Sequence, residues 1–294
     1  MPDFPLRTSV TAQWTKTYKF LEVYATNKNG QVWACYFEQA TKKWGDWFIV
    51  DPLTDRAPAT PLTVTASPDC STTFLFGVDR TGSVSVSTGT TYNVWYRFES
   101  LGWVAKPGTT VSAIWYHDEL HIFVVGSTGS ALHSIRNKDG AWNLQNAVHY
   151  DNVQLLPGST IVPAVVYGRL CVTGVDANST VWQSVFGQKI KGDWDNWTCF
   201  PATVVAGTEI YPTANGNGNL GHAGNGFLLK KQRAYQKVDQ WYDWDRVRNL
   251  DKIHTGGKIV EINNPSRDER PDKIYVVGND GIVWTDWWSY DYLE

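Results

Sequence analysis

A strand, a tight turn and a second strand recur along the chain at a nearly constant interval, and that period limits the fold more than any other feature. The copies read Leu21-Glu-Val-Tyr-Ala-Thr-Asn-Lys-Asn-Gly30-Gln-Val-Trp, Thr73-Phe-Leu-Phe-Gly-Val-Asp-Arg-Thr-Gly82, Leu120-His-Ile-Phe-Val-Val-Gly-Ser-Thr-Gly129, Leu170-Cys-Val-Thr-Gly-Val-Asp-Ala-Asn-Ser179 and Lys273-Ile-Tyr-Val-Val-Gly-Asn-Asp-Gly281. With a poorer copy ending at Gly226, the turn residues Gly30, Gly82, Gly129, Ser179, Gly226 and Gly281 lie 52, 47, 50, 47 and 55 residues apart. Asn-Gly, Thr-Gly, Asn-Ser and Asp-Gly between apolar runs tolerate the positive φ that a tight hairpin demands.

A short apolar strand precedes each hairpin: Val10 to Trp14, Leu62 to Ala66, Val111 to Trp115, Ile161 to Val166 and, more weakly, Lys258 to Ile262. A Trp-marked fourth strand follows, around Trp44 and Trp47, Trp95, Trp142, Trp194 and Trp197, and Trp241 and Trp244. Four short antiparallel strands repeated every ~40 to 50 residues make a β-propeller blade. The expected fold is therefore all-β: one domain spanning residues 1–294, a six-bladed β-propeller of four-stranded antiparallel blades. The last copy has Trp284 to Tyr290 as its third strand and then runs out. Asp3-Phe-Pro-Leu-Arg7 is expected to supply the outer strand of this sixth blade and close the ring. In the fifth copy, the stretch from Asn215 to Gly226 reads as a loop excursion in place of a normal strand.

Composition narrows the class. Against 29 acidic residues stand 26 Lys and Arg, a formal charge of -3 that argues against a nucleic-acid partner. No apolar run reaches the ~18 residues needed to span a bilayer. The chain holds 16 Trp, 14 Tyr and 11 Phe, which suits short strands and many turns. Cys35, Cys70, Cys171 and Cys199 show no CxxC spacing, which argues against a metal site, and are read as buried thiols, free to pair in a secretory route. The sequons at Asn178 and Asn196 would accept glycans on that route. The first eight residues lack the pattern of a signal peptide, so secretion and residence in the cytoplasm both stay open, as does the oligomeric state.

The combination of Val10-Thr-Ala-Gln-Trp14 with Glu22-Val-Tyr and Asn29-Gly30, and of Val111-Ser-Ala-Ile-Trp115 with His121-Ile-Phe and Gly129, resembles the blade of the fungal fucose-specific lectins. That likeness implies a six-bladed propeller over essentially the whole chain. It also implies sugar pockets built from an Arg eight residues before the hairpin Gly, a Glu four residues after it, and stacking aromatic rings. At the Arg place this chain has Glu22, Phe74, His121, Cys171 and Lys273; at the Glu place it has Ala34, Val86, His133, Gln183 and Thr285. The fifth copy offers Gly218 and Lys230. The charge-assisted grip on vicinal hydroxyls is therefore missing. A second group similar in fold is the hetero-Diels-Alderases of fungal tropolone sesquiterpenoid biosynthesis, and loss of the repeated sugar motif is what such a change of use would leave.

The resemblance yields two readings. One is a cofactor-free pericyclase joining a tropolone-type ortho-quinone methide to a humulene-type terpenoid alkene, acting on small lipophilic or aromatic substrates mainly by positioning. The other is a lectin that binds a glycan other than fucose. For catalysis the sequence offers His121 and His133, expected to be cross-strand neighbours with one protonated and one neutral, against the alternative of two half-exposed histidines on a polar face. Tyr116 or His117 would donate a hydrogen bond to a tropolone oxygen, and Glu261 would be a carboxyl with raised proton affinity. Trp14, Trp115 and Tyr167 would wall a ligand pocket, although packing between blades accounts for Trp residues equally well, and Glu22 and Lys273 are the charged groups left at the former Arg place. Trp33, Trp182 and Trp284 are read as packing on a blade face.

Overall fold

The computed structural model describes residues 2–5, 8–14, 20–51, 53, 55–90, 94–143, 153–166, 168–187, 193–200, 204, 210–212, 218–222, 228–232, 245–246, 259–262, 272–277 and 283–288. These residues form six antiparallel sheets and no helix. Contacts group the chain into two compact units, residues 1–160 and 161–294.

The first unit holds three sheets. In the first, strands Val10–Trp14, Phe20–Thr26, Val32–Glu38 and Lys43–Trp44 follow in spatial order, and Phe48–Asp51 also pairs with Val32–Glu38. The second runs Thr63–Ala66, Thr72–Val78, Ser83–Thr90, with both Val94–Trp95 and Glu99–Val104 on the outer side. The third runs Ser112–Tyr116, Glu119–Val125, Ala131–Arg136 and Trp142–Asn143. The outer strands are thus double in the first two sheets, where the sequence predicts one.

The hairpin turns share one construction. Gly30, Gly82 and Gly129 have φ of 83°, 88° and 90°. A Cβ there would lie 2.1 Å from Arg56 O, 2.3 Å from Ala105 O and 2.5 Å from Leu155 O, carbonyls of the segment that leads away from the same sheet. That segment also reaches the next hairpin: Arg80 N donates to Asp55 O at 2.8 Å, and Ser127 N to Val104 O at 3.1 Å. The first two connectors are therefore held between successive turns, and the close approach at all three hairpins demands glycine on conformational and steric grounds alike.

Between the first and second sheets, Tyr24, Val32, Ala34, Leu62 and Leu75 form one apolar cluster. Between the second and third, Phe74, Phe76, Val84, Leu120, Ile122 and Val124 form another. Burial of such side chains stabilises by roughly 1.5–3 kcal/mol each. Arg56, in the first connector, is a buried cation: its guanidinium lies 2.8 Å from Asp55, 3.4 Å from Asp51 and 3.7 Å over the Phe98 ring.

In the second unit, one sheet runs Val162–Val166, Arg169–Val175, Val181–Val185 and Thr198–Phe200. The next runs Tyr211–Pro212, Gly218–His222, Leu228–Gln232 and Asp245–Arg246. Part of the predicted excursion in the fifth copy is thus a strand: Gly218–His222 pairs along its whole length with Leu228–Gln232, and backbone pairing overrides its glycine-rich composition. The last sheet has three described strands, Ile259–Ile262, Asp272–Val277 and Val283–Trp288. Asp3, Phe4 and Pro5, expected in an outer strand there, form no strand. Asp3 O accepts from Lys28 N at 2.9 Å, and Phe4 meets Trp47 at 4.9 Å, both within the first unit. Leu6 and Arg7 lie outside the described residues.

Candidate ligand-binding site

The repeat positions eight before and four after the hairpin residue can be compared sheet by sheet. In the second sheet Phe74 and Val86 are buried, with Trp115 at 6.0 Å and the Arg136 guanidinium 4.8 Å above the Phe74 ring. That place is filled. In the third, His121 and His133 are both buried, and His121 Nδ1 lies 3.0 Å from His133 Nε2. They are diagonal rather than direct neighbours, since His133 stands opposite Phe123 and stacks on it at 4.6 Å and 7°, while His121 stands opposite Ile135. Burial pushes His121 down to about 4 and His133 to about 3, helped by His117 on the first and by the partner ring on the second. Both imidazoles are therefore neutral at pH 7. This corrects the expectation that one is protonated and the alternative that both are half-exposed: the strand Glu119–Val125 is apolar around His121 and covered on both faces.

In the first sheet the place stays half open. Glu22 is half-buried and opposite Tyr36, and its Oε2 accepts from Tyr24 Oη at 2.6 Å. Burial raises the affinity of the carboxyl for a proton, and the Tyr24 hydroxyl opposes that. Ala34 adds no bulk across the strand. In the fourth sheet Cys171 is buried and Gln183 Nε2 donates to Thr173 Oγ1 at 3.4 Å.

On the opposite face of the first sheet lies a cleft of about 630 Å³, lined by Pro2, Val23, Trp33, Cys35, Trp44, Gly45, Asp46 and Trp47. Alternation along the strands sets this lining, since Val23 and Cys35 are opposite one another and Glu22 and Tyr36 occupy the other face. Trp44 is 56% exposed, and its ring lies 5.3 Å from Phe37. The Trp33 indole N–H is buried and has no hydrogen-bond partner among the described residues. Cys35 Sγ donates to Gly45 O at 3.1 Å, and burial pushes its thiol up. Reading Trp33 as packing missed this cleft.

The other expected site residues are dispersed. Trp115 packs on the cluster between the second and third sheets. Tyr116 ends its strand 5.8 Å from the His121 ring, and His117 and Asp118, with φ of 49° and 61°, form an exposed two-residue turn. Trp14 closes the strand Val10–Trp14 opposite Leu21, its side chain being outside the described residues, and so is the whole of Tyr167. Glu261 and Lys273 stand in paired strands, opposite Ile274 and Ile262, and their side chains too lie outside the described residues. Asn178 and Asn196 are exposed. The four cysteines are free thiols, Cys35 and Cys171 buried, Cys70 half-buried and Cys199 exposed, so the expected burial holds for two of them. Among the described residues no three His, Cys, Asp or Glu side chains converge on one point.

No protein-family model and no curated protein match the sequence. Solved structures do. The chain is similar to the BP39L lectin of Burkholderia pseudomallei, with 14% identity and a TM-score of 0.85 over 98% of this chain and 83% of that one. It is also similar to AofleA of Arthrobotrys oligospora, with 12% identity and a TM-score of 0.67 over 97% and 83%. For the fucose-specific lectin of Aleuria aurantia, described as a six-bladed β-propeller, identity is 13% and the TM-score 0.62 over 99% and 95%. The fold is the six-bladed β-propeller. At this identity the likeness carries the fold alone, and each sheet described above is one blade. The blade-one cleft and the Glu22 place are then two faces of a single propeller blade.

Proposed function

We propose that the chain is a carbohydrate-binding protein that takes its glycan in the cleft of the first blade. The observation that carries this reading is the cleft itself: about 630 Å³ walled by Trp33, Trp44 and Trp47, with Asp46 in its lining. Flat indoles offer large apolar area to the C–H face of a sugar ring, while the Asp46 carboxylate addresses its hydroxyls. Propeller lectins as structural neighbours support the same reading. L-fucose is not the expected sugar, because no copy of the repeat has Arg eight residues before its turn residue or Glu four residues after it, and two of these places are filled by Phe74 and by the two imidazoles. The glycan reading is preferred to cycloaddition because the imidazoles assigned to acid catalysis are neutral and enclosed.

Screening a glycan array and then titrating each hit while following tryptophan fluorescence tests this. Trp44→Ala, at an exposed position, is expected to weaken binding about 10-fold or more. An array with no hit, or hits indifferent to Trp44→Ala, would overturn the proposal.

A further inference from the structure

Three blades of the first unit carry the same pair of positions, and only one of the three leaves them half open. Phe74 is sealed beneath Trp115 and Arg136, and His121 and His133 fill each other's space. Glu22 is a carboxylate where the neighbouring blades show that an apolar or neutral group satisfies the fold. Half-burying a carboxylate costs stability, the one bond from Tyr24 Oη offsets only part of that cost, and a carboxyl so placed points to a ligand.

The surroundings say which ligand. Among the described residues no Lys, Arg or His lies within ion-pair distance of Glu22, whereas its Oε2 is bound by Tyr24 Oη. Aromatic rings stand around it: Tyr36 lies directly across the strand, Phe20 meets Tyr36 edge-on at 5.5 Å, and Tyr24 meets Trp95 of the second blade at 5.5 Å. A carboxylate among π-faces attracts a cation that donates hydrogen bonds, and an ammonium group does both. A neutral hydroxyl would occupy the lone pairs and leave the charge uncompensated.

We propose that Glu22, with Tyr24, Tyr36 and Trp95, forms a second site, on the face opposite the cleft, for a protonated amine, the ammonium group of an amino sugar. The sugar part rests on the glycan reading above; the amine part rests on Glu22 alone. The two subsites lie on opposite faces of the first blade, so they are separable by mutation.

Isothermal titration with a glucosamine tetramer, its fully N-acetylated counterpart and spermine distinguishes the possibilities. The free-amine tetramer is expected to bind about 10-fold or more tighter than the acetylated one, the worth of one charge-assisted contact. Glu22→Gln, which keeps the shape and an acceptor for Tyr24, is expected to erase that preference. On the wild-type protein the preference should also shrink as pH falls through the titration of Glu22, a readout that needs no variant. Equal affinities, a preference that survives Glu22→Gln, or one that is independent of pH would overturn the amine subsite. A neutral glycan that binds through Trp44 with no amine preference sinks this inference and leaves the glycan reading standing. Spermine binding that depends on Glu22, with no sugar bound in any form, keeps the amine subsite and sinks the glycan reading.

Discussion

The first and third blades are built on one register and end in opposite chemistry. Each has a four-stranded ladder, and each presents the positions eight before and four after its hairpin glycine on one face. In the first blade a long acidic side chain stands diagonal to an alanine, so the carboxyl is left half open with a tyrosine hydroxyl for company. In the third, two imidazoles stand at those places and hydrogen-bond each other at 3.0 Å, and the His133 ring rests on Phe123. The repeat fixes where a side chain stands; the combined volume of the pair decides whether that place becomes core or remains accessible.

Both blades share one hairpin joint, and the largest expected effect lies there. Gly30→Ala and Gly129→Ala each add a Cβ at positive φ within 2.5 Å of a connector carbonyl. Each is expected to cost on the order of 3 kcal/mol or more, through φ strain together with displaced backbone. Urea denaturation midpoints would show it, and a tolerated substitution in one blade alone would mean that the joints differ. Next in size is the contrast at the paired positions. His133→Ala leaves a cavity and strands the His121 nitrogen, which should cost about 2–4 kcal/mol. Glu22→Gln should stay within about 1 kcal/mol of the parent, since its surroundings are half solvent. The reverse ranking would break the distinction between core and accessible place.

Much of this was legible in the residues. Asn29-Gly30 and Thr81-Gly82 announced their turns because few residues accept positive φ, and the inner strands fall within about one residue of the predicted bounds. A further signal went unread: Asn27, Asp79 and Asp176 stand three residues before the turn residue, and each Oδ1 accepts two backbone N–H groups across the turn. The second outer strand Glu99–Val104 also had a legible alternation, with Leu101 and Trp103 buried between exposed neighbours. The enclosure of His121 could have been inferred from the unbroken apolar run around it, because such a run marks a strand covered on both faces. The Trp33 cleft could not. Alternation assigns Trp33 to a face but carries no information on how tightly that face is covered, which depends on residues far along the chain such as Pro2 and Trp47.

The smallest effect sharpens the contrast without changing a residue. The imidazoles of the third blade have folded-state affinities for protons below the unfolded value near 6.5, so below that pH the unfolded chain binds more protons than the native one. Stability contributed by the neutral pair is complete above about pH 6.5 and is lost progressively as pH falls toward about 4. By pH 5 the loss should be on the order of 1–2 kcal/mol per imidazole, read as a drop of several degrees in Tm. Glu22 runs the other way: its carboxyl binds a proton more readily folded than unfolded, so acid favours the native state at that place. The Tm difference between the parent and Glu22→Gln should therefore shift in the parent's favour on acidification. A His121→Phe, His133→Phe double variant, in which the rings are kept and the titration removed, should flatten the acid limb. If the acid limb persists unchanged in that variant, the sealed pair is not its source, and the third blade differs from the first in shape alone.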